Sequence, residues 1–567
     1  MYRPTDRQTA LLGGGRQLPG EGQRRLLETW APLFHRDIYP VLLRSEKGFA
    51  DLYAEDNGRP NWSVAALLGI CILQEWFDLT DQEALDAVSF DARWQMALGL
   101  EAHVAYLSRR SLVAFRGRLV ARDPEMTRIR AVFRAVSDAA IKGLKVRISH
   151  QRLDSTRVVS NIRTRGRVDL FNKTLFHLMR WLDAHHTDTL TLLPAGLLSW
   201  YNARKEEEGW EIEGDVTVRA QRLQTLAGWA HEAIRALAAR PEICAEEPYQ
   251  LVVRLFSEHC EVKNESEGGG TSGAGDGEER QGSEATAQER VTVLSKPERP
   301  GTSLQSPFDP DAGYSHKGPG YHVQVAETCG NKTEDSKVYQ PEIITDYQVH
   351  TAGERDFDKA MAVVARLHEA GLAPDVLVVD GGYMLGEVLV EAAAQGIDLL
   401  GPATSGSLPE GVIGRERFVF AEESGEVLAC PEGHAPVEHT IRATNAGRPQ
   451  TLHAKFDAAH CKECPLRGKC IARPHSSGKG TFYVDVAPDL RARDANLARQ
   501  KTSEWRQAYR IRSGIEATNS ELKRRHGLGK LRVRRRSRVE LAVAFKMIAC
   551  NAKRWARAVR EQAPARG

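Results

Sequence analysis

The residues that suggest chemistry are densest near the carboxyl end, in Trp505-Arg-Gln-Ala-Tyr509-Arg-Ile-Arg512-Ser-Gly-Ile-Glu516-Ala-Thr-Asn-Ser-Glu-Leu-Lys523. On a helix, at about 100° per residue, Tyr509, Arg512, Glu516 and Lys523 fall within about 60° of arc. Ala508, Ile511, Ile515 and Leu522 form an apolar flank beside that stripe. A solvent-facing helix with an Arg512–Glu516 pair at four-residue spacing would look the same, and such a pair contributes only about 0.2–0.5 kcal/mol. Upstream, Asp375-Val-Leu-Val-Val-Asp380 reads as a buried strand delivering Asp380 to the carboxyl edge of a sheet, where open α/β folds keep their sites. A cap on the next helix is an equally good reading of Asp380 alone. Leu153-Asp154-Ser-Thr sets a third carboxylate in a strand, in a sequence that also suits a turn. Three carboxylates converging from two strands and a helix can hold two divalent ions roughly 3.5–4 Å apart, one activating an attacking oxygen and one stabilising a leaving oxygen. Oxygen ligands suit Mg²⁺ or Mn²⁺.

A second constellation is Cys430-Pro-Glu-Gly-His434 followed by Cys461-Lys-Glu-Cys464-Pro-Leu-Arg-Gly-Lys-Cys470. Cys-x2-Cys with two further cysteines resembles a structural Zn²⁺ knuckle of four thiolates, with His434 or His460 as alternative ligands. Scattered reduced thiols are the bland alternative. Lys462, Arg467, Lys469 and Arg473 nearby suit a DNA-contacting finger or simply a solvated surface. The other five cysteines read as ordinary thiols, so the nine do not make a disulfide framework.

These groups must be positioned by a chain of 567 residues, enough for three or four domains at roughly 150 residues each. The longest apolar run, Val64 to Leu73, is far short of the roughly 18 residues that span a bilayer. No apolar leader follows Met1, so a cytoplasmic protein without a membrane partner is expected. The net charge of +3 is unevenly spread: Arg499 to Gly567 holds 20 Lys and Arg against 5 Asp and Glu, leaving −12 for the remainder. A block of that sign is an electrostatic footprint for nucleic acid. Lys530, Arg532, Arg534, Arg535, Arg536 and Arg538 are its densest part, and Leu541, Ala544, Met547 and Ile548 keep helical spacing there.

Along the chain, residues 1–20 read as a flexible arm and 21–140 as a helical domain. Within it Ser63 caps one helix, Thr80-Asp-Gln-Glu83 forms a capping box for a helix through Leu98, and Ser108 starts Arg109 to Arg122. Arg109, Arg110, Arg116 and Arg118 on the last of these suit phosphate contacts, in a helix-turn-helix or a plain bundle. At Leu144 the apolar period changes to that of a strand, so 141–165 opens a mixed α/β core. Residues 166–263 return to helical spacing as an insertion. Residues 264–300, poor in large apolar side chains, are expected to be a disordered linker. Strands resume over Gly320–Ala326 and Pro341–His350, helices and strands alternate through 301–404, residues 405–490 form the cysteine-rich insertion, and 491–567 are basic helices carrying Glu516.

Tyr, two residues, Arg, three residues, Glu, six residues, Lys is the signature of bacterial insertion-sequence DDE transposases, and Tyr509, Arg512, Glu516 and Lys523 match every interval. Leu153-Asp154-Ser-Thr resembles the family's first-aspartate strand and Val378-Val-Asp380-Gly-Gly-Tyr383 its second. The helices around Trp62 to Leu119 and the cysteine stretch are also similar to those of the family. The helical insertion and the cysteine module set the chain apart from the simplest members. The resemblance implies an α/β fold with a ribonuclease H-like mixed sheet flanked by helices, an all-helical amino-terminal domain that binds DNA, a helical insertion and a small zinc-binding-like insertion. It implies Asp154, Asp380 and Glu516 as catalytic ligands of two Mg²⁺ or Mn²⁺ ions. Water is then the first nucleophile at a transposon end, and the freed 3′-hydroxyl attacks the opposite strand or target DNA. Arg512 and Lys523 would hold phosphates, Tyr509 would stack or bond beside the scissile phosphate, and Cys430, Cys461, Cys464 and Cys470 would hold structural Zn²⁺. The implied partners are double-stranded DNA, both terminal inverted repeats and target, and a second copy on paired ends; the implied place is the bacterial cytoplasm, at the nucleoid. An inactive DNA-binding descendant and a structure-selective nuclease on the same core are the alternatives.

Overall fold

A computed structural model describes residues 2, 20–54, 61–101, 105–163, 166–205, 215–265, 288–298, 300–330, 341–403, 408–421, 425–442, 451–475 and 480–562. Most of the expected arm, and the middle of the expected linker, lie outside them. The amino-terminal part consists of α1 (Gly20–Leu27), α2 (Ala31–Leu33), α3 (Tyr39–Ser45), α4 (Val64–Phe77), α5 (Asp81–Phe90), α6 (Ala92–Leu98), α7 (Arg109–Arg122) and α8 (Thr127–Leu144). The caps act as the sequence suggests. Ser63 Oγ accepts the Ala66 N–H at 3.1 Å, and Thr80 and Glu83 exchange both capping-box hydrogen bonds. Ser108 Oγ accepts from Ser111 at 3.2 Å. The helix expected to run to Leu98 instead breaks at Asp91, whose carboxylate caps α6 through the Arg93 N–H.

The strand expected from Leu144 starts later, because α8 runs to Leu144 and Lys145 closes it in a left-handed conformation. β1 (His150–Val158) follows, then an insertion of α9 (Arg167–His185), α10 (Ala195–Arg204), α11 (Val216–Leu237), α12 (Pro241–Cys244) and α13 (Glu247–His259). These helices enclose their own core around Phe171, Leu178, Leu226 and Val252. The stretch read as a linker begins and ends in an antiparallel ribbon of β2 (Cys260–Glu265) and β3 (Gln288–Val293). Val291 and Val293 pack it on the insertion, a short apolar signal outweighed in sequence by the Gly- and Glu-rich residues between the strands.

The main sheet adds β4 (Gly313–Ser315), β5 (Gly318–Thr328), β6 (Ile344–Thr351), β7 (Val376–Val378) and β8 (Asp398–Leu400), with α14 (Phe357–Glu369) and α15 (Gly386–Ala394) between the later strands. It is mixed: β5 lies antiparallel between β1 and β6, while β1, β7 and β8 run parallel. A smaller antiparallel unit follows, with β9 (Val419–Phe420), β10 (Val427–Ala429), β11 (Glu438–Arg442), β12 (Thr451–Asp457), α16 (Ala458–Glu463), β13 (Arg473–Pro474) and β14 (Thr481–Val486), built on Phe418, Phe456 and Phe482. The chain ends in α17 (Pro488–Arg499), α18 (Ser503–Tyr509), α19 (Gly514–Arg525) and α20 (Arg536–Gln562). α20 packs on α8 and α4, so the amino-terminal helices, the sheet and the last helix share one continuous core. Among the described residues no helix is long and apolar enough to cross a membrane.

Candidate active site

Register brings the two aspartates together. Arg152 of β1 pairs with Val378 of the parallel β7, and Asp154 and Asp380 each lie two residues further along. Val379 continues the ladder by donating to the Leu400 carbonyl. Asp380 is a cap as well, since its Oδ1 accepts the Gly382 N–H at 2.8 Å; its other oxygen makes no hydrogen bond among the described residues. Asp154 is buried. Burial raises its pKa above the usual carboxylate value, Asp380 raises it further, and Arg512 acts against both. Asp380 thus works against the charge on Asp154, an effect that a bound cation would offset.

The segment carrying the other site residues differs from the uniform helix assumed from spacing. α18 ends at Tyr509, a 3₁₀ turn covers Arg510–Ser513, and α19 restarts at Gly514. The break is built around Arg152, whose guanidinium donates to the Ile511 carbonyl at 2.8 Å. A Cβ on Gly514 would lie 1.9 Å from Arg152 Nη1, so glycine allows the chain to press against β1. Ala508, expected on the apolar flank, is exposed, whereas Ile515 and Leu522 are buried and Ile511 packs with Val378, Leu400 and Trp505.

The polar stripe nevertheless reaches the aspartates. Arg512 Nη2 lies 3.2 Å from Asp154 Oδ2, and its Nη1 lies 4.0 Å from Glu516 Oε1. The Glu516 side chain is 77% exposed, so the third acid stands at the open rim of the site. Tyr509 stacks on Trp505 with ring centroids 4.7 Å apart. Burial, with Asp380, Asp154 and Glu516, raises its phenol pKa against the effect of Arg512, keeping it a hydrogen-bond donor. Lys523 is the fourth member, and burial, Lys317 and Arg157 lower its pKa while Asp154 acts in the opposite direction. Lys317, Arg157 and Asn519, which donates to Asp154 Oδ2 at 3.3 Å, went unnoticed in the sequence. Only tertiary pairing brings the β4–β5 turn and the end of β1 to the glutamate helix.

Behind the site lies a buried network with no sequence signature. Glu327 of β5 accepts from Arg152 at 2.7 Å, from Thr518 at 2.7 Å and from Arg554 at 3.0 Å. Arg554 of α20 also pairs with Glu521 at 2.8 Å. Strand, glutamate helix and last helix are thereby fixed to one fully buried carboxylate.

Comparison with family models gives two matches. The model described as "Transposase DDE domain" matches residues 429–556, a span that includes Cys430, Cys461, Cys464, Cys470 and Glu516. The model described as "Transposase domain (DUF772)" matches residues 36–118, in the amino-terminal helices. Both matches are to transposase families, which supports an insertion-sequence DDE transposase. No curated protein and no solved structure matches it.

Within the first matched span the four cysteines Cys430, Cys461, Cys464 and Cys470 line one small cavity of about 30 Å³, together with His434 and His460. All four are free thiols. Burial pushes the Cys461 thiol up to about 11, helped by Cys470, Cys430 and Cys464. The basic segment after α19 is placed differently from a free tail. Residues 529–533 run beside Val159–Asn161. Arg532 donates to the Leu79 and Asp78 carbonyls, Arg534 to Asn161, Arg535 pairs with Glu247 at 2.7 Å and Arg536 with Glu540 at 2.9 Å. Lys530 and Arg538 make no ion pair among the described residues and line a cleft of about 590 Å³ with Arg109 and Arg116 of α7. Arg116 is held by Asp81 at 2.7 Å, and Arg118 lies over the Tyr53 ring.

Proposed function

We propose that this transposase binds the ends of its own element, cleaves them by metal-dependent phosphoryl transfer and joins the freed 3′-hydroxyl to target DNA. Asp154, Asp380 and Glu516 are its catalytic residues in this reading. The observation that carries it is the placement of Asp154, within β1, beside Asp380, just past the end of the adjacent parallel β7, with Arg512 linking Asp154 to Glu516. The strand order β6-β5-β1-β7-β8, with β1 antiparallel to β5 and parallel to β7, supports a ribonuclease H-like core.

The donor set fits Mg²⁺ or Mn²⁺: three carboxylates, one of them made reluctant to ionise by burial and by its neighbour. Two such ions, when bound, supply an activated oxygen nucleophile and stabilise the leaving oxygen. The chain's own groups do the rest. Lys523, Lys317 and Arg157 crowd one another, and a phosphate among them relieves that repulsion. Arg512 presents a planar fork suited to phosphate oxygens, and Tyr509 offers an O–H donor beside the same position. Glu516, at the rim, is the ligand that DNA would order on binding. The four-cysteine cavity suits a structural Zn²⁺, because four thiols and two imidazoles line one small space and thiolates are zinc's preferred structural ligands. Lys530, Arg538 and Arg109, along the shared cleft, are the strongest candidates for contacts to the DNA backbone. Pairing of two ends predicts a homodimer.

The test is cleavage of labelled DNA from the element's termini with Mg²⁺. Asp154→Ala, Asp380→Ala and Glu516→Ala should each abolish product while retaining end binding. Normal product from any one variant removes that residue from the site.

A further inference from the structure

On the sheet face opposite Asp154 the structure gathers a second group of metal-ligating side chains. Side chains alternate along β1, so Ser155 points away from the carboxylate trio, and its hydroxyl donates to Asp356 Oδ2. Asp356 immediately precedes α14, yet its side chain makes no capping bond to that helix. Its Oδ1 instead lies 3.0 Å from His322 Nδ1 on β5 and 3.2 Å from His350 Nε2 on β6. The three ligand atoms all lie within 4.8 Å of one another. A tetrahedral Zn²⁺ with bonds of about 2.0–2.1 Å separates its ligand atoms by roughly 3.3 Å, close to both of these contacts.

The surroundings of His350 suit the same reading. Its Nδ1 faces the Thr351 carbonyl at 3.2 Å and the Glu354 carboxylate at 3.9 Å, which leaves Nε2 turned toward Asp356. The ring is fully buried, so the group that meets Nε2 lies away from bulk water. Asp356, the most exposed of the three at 28%, leaves an open side for entry and for a water ligand.

We propose that His322, His350 and Asp356 form a binding site for a late first-row divalent ion, Zn²⁺ being the best fit to two imidazoles and one carboxylate. It is separate from the carboxylate trio and from the cysteine cavity. The ion joins β5, β6 and the start of α14. It also acts on the reaction centre from behind, because Gln324 of β5 donates to both the Asp356 carbonyl and the Tyr383 hydroxyl, and Tyr383 closes the Asp380-Gly-Gly turn. The site is thus a positioning device for Asp380 and holds no substrate.

The experiment counts ions on the full-length protein, purified without added metal, loaded with Zn²⁺ in excess Mg²⁺ so that the trio is occupied, and then desalted. Elemental analysis should show one ion fewer per chain in His350→Ala and in Asp356→Asn than in wild type. This difference does not depend on whether the cysteines hold metal. With Co²⁺ in place of Zn²⁺, both variants should keep any thiolate-to-cobalt charge-transfer absorption of the wild type. Asp356→Asn preserves shape and covers the case in which His350→Ala fails to fold. Zn²⁺ should also raise the melting temperature of Cys461→Ser, in which the cysteine cavity is disabled, but not of the same protein with Asp356→Asn added. Equal ion counts in wild type and Asp356→Asn would show that a proton fills this position, and would overturn the proposal.

Discussion

Asp154 shows how a single residue can trade stability for a site. Burial and Asp380 together hold its folded-state pKa above the unfolded value. A carboxyl shifted upward stabilises the fold only while protonated, so its contribution is complete below about pH 3.9 and is lost as pH rises through the folded-state value. At neutral pH the ionised group is a net cost. Asp154→Asn is therefore expected to melt at a higher temperature than wild type near pH 7, with the difference narrowing toward pH 4. Mg²⁺ should raise the melting temperature of wild type more than that of the variant. Thermal unfolding across pH, with and without Mg²⁺, checks both. The residue types at the site were readable from sequence because acids and their phosphate-binding companions keep fixed intervals along one segment. Lys317 and Arg157 were not, since nothing local marks a side chain that arrives through strand pairing, and Asn519, on the glutamate helix itself, shows its role only once β1 is packed against it.

Among the elements, the glutamate segment illustrates what periodicity can and cannot deliver. Ile515 and Leu522 were correctly placed on a buried face, but a constant turn per residue could not anticipate a 3₁₀ break made to accommodate Arg152. The same blindness covers the carboxylate of Glu327, whose partners lie 175, 191 and 227 residues away in sequence. Removing one member of a buried ionic network leaves the others uncompensated, at a cost of about 3–5 kcal/mol. Glu327→Ala should show about that much destabilisation in urea unfolding, and should lose DNA cleavage as well, since Arg152, Thr518 and Arg554 then no longer fix α19 against β1. The cysteine module gives a second test of how elements are held. Cys464→Ser, or a strong chelator, should loosen the unit from β9 to β14, seen as faster hydrogen exchange at Val427, Phe456 and Val484, while the main sheet stays protected. No change in exchange would mean that the apolar core around Phe456 holds the module without metal.

Across the full chain, the mixed α/β character was legible because helical and strand periods alternate in long stretches of the sequence. The basic carboxyl-terminal block reads as one DNA-gripping patch when charges are merely counted, and the fold shows how its members are placed. Four of its arginines have internal partners, and Lys530 and Arg538 face a cleft shared with α7. Neutralising Lys530 and Arg538 should thus lower the log–log salt slope of DNA binding by about 0.9 for each phosphate left without its cation, equally for terminal and random DNA. Neutralising Arg535 and Arg536 should instead destabilise the fold and leave the slope nearly unchanged. Strand transfer is the decisive measurement for transposition by this site: terminal DNA with a free 3′-hydroxyl, incubated with the purified protein, Mg²⁺ and target DNA. Wild type is expected to yield covalently joined product, and Asp154→Ala, Asp380→Ala and Glu516→Ala none. Joined product from a Glu516→Ala variant, or cleavage without any joining by wild type, would contradict the assignment of this site to transposition.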